Sequence, residues 1–195
     1  MSKKLDMNLE KEFKTVDLIL KSDAETRGVD AFALSLIKAE RQIRRIFTYL
    51  MFQFPCFNLK HWKGFRKVLS DDNKLYFDNF LKGINEIWPQ KIETLIGKEY
   101  ATLYKKIEEA TGYRNKIFHG QLTNEKLKRS DLIDLVNNIK KWCNVVAIAA
   151  KKNFGYDGFG RNSYRKNSKK IYQDYKIQIN SLDDYKSFLK KVGRK

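Results

Sequence analysis

Between residues 29 and 54 the chain carries Leu36, Ile43, Phe47, Leu50 and Phe54 at intervals of three, four or seven, and then meets Pro55. That spacing gathers apolar side chains on one face of an α-helix, whereas a strand would scatter them over both of its faces. The proline marks where the helix must end. The same period recurs along the chain. Leu9, Phe13, Val16 and Leu20 make a stripe over residues 8–22, and Phe77, Phe80, Leu81, Ile84 and Trp88 make another that stops at Pro89. Ile92, Ile96, Leu103, Ile107 and Ala110 predict a long helix over residues 90–118, with Gly112 as a weak point near its end. Leu132, Leu135, Ile139, Trp142, Cys143, Val146 and Ala150 follow, with Ser130 as the candidate cap; Asp71 or Asp72 is the candidate cap for the stripe at residue 77. The fold class this predicts is all-α, an antiparallel bundle of roughly five or six helices over residues 1–154.

Beyond residue 154 the composition changes. GYDGFGRNSYRKNSKK suits a flexible loop, residues 171–179 alternate weakly enough to suggest an isolated strand, and SLDDYKSFLKKV reads as a capped short helix. Residues 155–195 are therefore expected to form a small basic C-terminal extension.

Charge narrows the class of partner. Lysine and arginine number 40 against 23 acids, a net charge of +17, of which +9 falls in residues 151–195. Such an excess favours polyanions, nucleic acid first among them. Cys56 and Cys143 lie far apart in apolar surroundings, as free thiols in a reducing compartment would. With only two histidines and no paired metal-ligand spacing, a structural zinc site is not expected, nor is a two-metal nuclease centre; no metal or cofactor is predicted. There is no long apolar run and no signal segment, so a soluble cytoplasmic protein without a membrane partner is expected.

The least replaceable constellation is TGYRNKIFHGQLT, residues 111–123, where Arg114, Asn115 and His119 stand close together before Gly120. On an ideal helix Asn115 and His119 share a face, while Arg114 and His119 point about 140° apart. Their convergence needs a helix end, which Gly120 can supply by taking a left-handed conformation. A histidine at such an end sits near the negative pole of the helix, which favours its charged form.

Arginine, asparagine, three residues, histidine, glycine resembles the active-site signature of the HEPN superfamily (higher eukaryotes and prokaryotes nucleotide-binding domains), in which the arginine and histidine sit at the end of a helix in an all-helical bundle. RNKIFHG fits that pattern, and the resemblance covers roughly residues 8–154. It implies a metal-independent RNA endonuclease, a hydrolase in which His119 moves protons, Arg114 holds the scissile phosphate, and Asn115 orients the histidine or a phosphate oxygen. It also implies a homodimer with a composite site, products ending in a 2′,3′-cyclic phosphate and a 5′-hydroxyl, and a place among toxins of toxin–antitoxin pairs or antiviral defence proteins, with an antitoxin or regulatory partner. Some members carry an acidic or polar residue on an early helix near the arginine. Glu40 is the candidate here, to orient Arg114 or His119, although the run from Lys38 to Arg45 also suits a solvated face with local ion pairs.

A second candidate surface is NLKHWKGFRK, residues 58–67. Lys60, His61, Lys63 and Arg66, with Lys116 beside the motif, are the predicted nucleic-acid contacts, because cations interleaved with aromatics can hold phosphates and stack on an unpaired base. The plainer alternative puts Trp62, Phe65, Val68 and Leu69 on the buried side of a short helix. For the whole chain the rival readings are a non-catalytic module that binds nucleic acid or nucleotide, and a structural protein in which the motif only caps a helix.

Overall fold

The computed structural model describes residues 2–71, 75–119, 127–160 and 162–193. Among them are eight α-helices and no strand: α1 Ser2–Lys21, α2 Arg27–Phe52, α3 Trp62–Ser70, α4 Phe77–Ile87, α5 Ile92–Ile96, α6 Tyr100–Phe118, α7 Arg129–Phe154 and α8 Leu182–Gly193. The protein is all-α. No described helix is long and apolar enough to cross a membrane.

The apolar stripes place these helices well, and the differences lie at their ends. The predicted helix over residues 90–118 is two helices, because Gly97 takes a φ of 82° that side chains with a Cβ rarely adopt. Gly112, the expected weak point, lies within an unbroken α6. Capping also differs from expectation. Asp71 is the last-turn cap of α3, Tyr76 precedes α4 and donates its N–H to Asn79 Oδ1 at 2.9 Å, and Asp72 lies outside the described residues. α7 starts at Arg129, so Ser130 is inside it and the Asp131 carboxylate accepts the Lys128 N–H at 2.8 Å. Ser181 does cap α8, accepting the Asp184 N–H at 3.1 Å.

The chain forms two compact units, Met1–Arg41 with Ile96–Ile148, and Gln42–Leu95 with Ala149–Lys195. In the first, Phe13 and Val16 of α1, Phe32, Leu36 and Ala39 of α2, Leu103, Ile107 and Ala110 of α6, and Leu135, Ile139, Trp142 and Val146 of α7 are buried. Tyr100 and Tyr104 stack at 5.3 Å and both rings rest against Trp142. Charges tie the outer edges: Glu12 of α1 pairs with Lys38 at 3.4 Å and Arg41 at 3.6 Å, and Lys140 of α7 pairs with Asp17 of α1.

The second unit is built on aromatic rings. Phe65 of α3 stacks on Tyr185 of α8 at 4.6 Å and meets Phe52, Phe57 and Tyr164 edge-on. Phe47 lies so close to α4 that a Cβ at Gly83 would come within 2.5 Å of its ring. Residues 155–180 have little helix, yet they are not the loose loop that composition suggested. Tyr156, Asp157 and Phe159 are buried, and Gln42 and Arg45 donate to the carbonyls of Asp157 and Phe159 at 3.1 Å each. The Lys166 ammonium donates to the Phe52 and Phe54 carbonyls at 2.6 and 2.7 Å, Gln53 donates to the Arg165 carbonyl, and Asn167 donates its N–H to Gln53 Oε1. The open end of α2 is thus closed by side chains from far along the sequence. The expected strand at residues 171–179 is instead a 3₁₀ turn, Ile171–Asp174, and irregular chain; among the described residues no second strand is available to pair with it.

Candidate active site

Arg114 owes its position to the periodicity of α6. Leu103, Ile107 and Ala110 are the buried stripe of this helix, and Arg114 falls four residues after Ala110, in line with it. The guanidinium therefore sits where the next apolar side chain would be, with 22% of the side chain exposed. A charge so placed needs a partner. Glu40 supplies it from α2: its Oε1 forms an ion pair with Arg114 Nη1 at 3.0 Å, and its own side chain is 30% exposed. Arg114 Nε donates to Asn115 Oδ1 at 3.2 Å. Two atoms of the guanidinium are thereby fixed, and Nη2 is left without a partner among the described residues.

This is an interhelical pair, as are those of Lys38 and Arg41 with Glu12, so the ion pairs of this run are not local, while Arg41 and Arg44 remain exposed. Asn115 differs too. Its side chain holds the arginine, and its link to His119 is through the backbone, where the Asn115 carbonyl accepts the His119 N–H at 3.1 Å.

α6 runs unbroken to Phe118, and His119 is its C-cap residue, with φ −90° and ψ 8°. The histidine is exposed. Gly120, the expected helix terminator, lies outside the described residues. Lys116 is half-buried in the last turn, where its charge suits the helix pole. Phe118 is 64% exposed, so the motif is not anchored by docking that ring in the core.

Of the other predicted contacts, Lys60, His61, Lys63 and Arg66 belong to the second unit and all are exposed. The structure thus brings together Glu40, Arg114 and Asn115, sets His119 at the same helix end, and puts the α3 cations in the other unit. Trp62, read from the sequence either as a stacking ring or as part of the buried side of α3, is 37% exposed, while Phe65 three residues on is fully buried. No three His, Cys, Asp or Glu among the described residues stand close enough to hold a metal ion.

Compared with known proteins, the chain matches no family model, no curated protein and no solved structure. The resemblance to HEPN proteins rests on residues 114–120 and their helical setting.

Proposed function

We propose that the protein is an RNA endonuclease of HEPN type, with Arg114 and His119 as its catalytic residues and Glu40 and Asn115 as positioning residues. The observation that carries this reading is the Glu40–Arg114 ion pair. It fixes the guanidinium at the end of α6 and leaves Nη2 to donate to a phosphate oxygen. RNA contains its own nucleophile. A base takes the proton of the 2′-hydroxyl, that oxygen bonds to phosphorus, the bond to the 5′-oxygen breaks, and an acid returns a proton to the leaving oxygen. The products are a 2′,3′-cyclic phosphate and a 5′-hydroxyl. Arg114 stabilises the charge that grows on the phosphate, and His119 transfers protons. One imidazole serves as either base or acid at a given moment, so two chains related as a homodimer supply the two groups, and an antitoxin-like or regulatory partner would hold such an enzyme in check in a toxin or antiviral defence setting. The net charge of +17 suits an RNA substrate.

The test is cleavage of single-stranded and structured RNA in EDTA by the wild type, His119→Ala and Arg114→Ala, with the product ends identified. The expected result is cyclic-phosphate ends from the wild type and losses of about a hundredfold or more in each variant, with helical content unchanged. RNA binding with no cleavage by any of the three would make the protein a binding module.

A further inference from the structure

The outer side of α3 carries a run of exposed cations. Residues 58–70, NLKHWKGFRKVLS, contain no acid, and Lys60, His61, Lys63, Arg66 and Lys67 are all exposed. Among the described residues none of these cations has a carboxylate partner. Like charges one turn apart, as Lys63 and Lys67 are, weaken a helix, and folding alone gives no reason for them.

An aromatic ring lies among these charges. Trp62 is 37% exposed, against 9% for Trp88 and 0% for Trp142, and Leu59 beside it is 69% exposed. Trp62 and Arg66 stand one turn apart on the same side of the helix, with Lys63 adjoining. α3 is meanwhile held firmly from below, since Phe65 is fully buried among Phe52, Phe57, Tyr164 and Tyr185. The result is a rigid support about 13 Å long with an accessible indole between mobile cations. Cations alone would serve a duplex, whose bases are stacked on one another. An exposed indole adds nothing to that, but offers a π-face to an unpaired base.

We infer that α3 is a stacking platform for single-stranded RNA, on which Trp62 takes a base while Lys60, Lys63, Arg66 and Lys67 hold the neighbouring phosphates. The inference rests on RNA being the substrate, as proposed above, and not on the cleavage chemistry.

Because the other two tryptophans are buried, intrinsic fluorescence reports on this site. In full-length protein carrying His119→Ala, which prevents cutting, a mixed-sequence single-stranded RNA is expected to quench the emission, and its duplex of equal length to quench it far less. Adding Trp62→Phe should leave emission that RNA does not quench. By labelled-RNA anisotropy, Trp62→Ala should weaken single-strand binding about tenfold, and Lys63→Glu with Arg66→Glu about a hundredfold, with circular dichroism unchanged. Quenching that survives Trp62→Phe, equal response to the duplex, or Trp62→Ala affinity within twofold of the parent would each overturn the platform. So would wild-type cleavage with an unaltered KM in Trp62→Ala, a result that leaves the nuclease reading standing. Quenching at Trp62 by RNA that the wild type never cuts supports the platform and removes the nuclease.

Discussion

Arg114 and Arg66 show two ways of offering a positive charge. Arg114 is half-buried, in line with an apolar stripe, and held through Nη1 by Glu40 and through Nε by Asn115. Arg66 is exposed on a helix face with no acid within residues 58–70. A guanidinium held at two points has lost most of its freedom before any ligand arrives, so its remaining donors are aimed; this suits transition-state chemistry. A guanidinium in open solvent keeps its freedom and its full charge, which suits phosphate contacts that tolerate many strand conformations. The forked shape of arginine should therefore matter at residue 114, and its charge alone at residue 66.

The most forceful way to break this contrast is to make the same conservative change at both positions. Arg114→Lys keeps the charge but loses the planar fork that leaves a donor aimed at phosphate, and single-turnover cleavage should fall about a hundredfold. Arg66→Lys should leave RNA affinity within about twofold of the parent, since a phosphate contact asks only for a cation. Equal losses at the two positions would erase the distinction.

Glu40→Gln sharpens it. The amide still reaches Arg114 but no longer offers a charge, so the pair weakens while its shape persists. Thermal stability should drop by about 1 kcal/mol, and cleavage by about tenfold in kcat with little change in KM. A fall in stability with kcat untouched would reduce Glu40 to a structural partner.

The smallest effect is expected beneath α3. The Tyr185 hydroxyl is buried without a hydrogen-bond partner among the described residues, and burial pushes the phenol well above its ordinary value. Tyr185→Phe removes that oxygen and keeps the ring against Phe65, so the protein should gain about 0.5–1 kcal/mol in denaturant unfolding with RNA binding unchanged. Destabilisation would reveal a partner for the hydroxyl.

Much of the fold is legible in the sequence because helical stripes are local. A residue such as Phe47 or Ile107 declares its face through neighbours three and four positions away. The break at Gly97 is not legible, and Gly112 is the expected weak point instead. The apolar stripe continues across both, and only the positive φ of Gly97 ends a helix while Gly112 stays within α6. The position of Arg114 in phase with Leu103, Ile107 and Ala110 already indicates a charge facing inward, so a carboxylate was due. That Glu40 is that carboxylate depends on how helices far apart in sequence meet, and no local pattern encodes it. Residues 155–170 misled because glycine and lysine suggest a loose loop, whereas Tyr156, Phe159 and Tyr164 have rings to bury and Lys166 finds carbonyls more than a hundred residues upstream.

That last connection bears on the order in which the chain can fold during synthesis. The carbonyls of Phe52 and Phe54 at the end of α2 wait for Lys166, and Phe65 waits for Tyr185, so the second unit has no closed form until residue 185 has left the ribosome. The first unit, whose sequence is finished at Ile148, can close earlier. In the nascent protein the Glu40–Arg114 pair can therefore form while the α3 helix still lacks its floor.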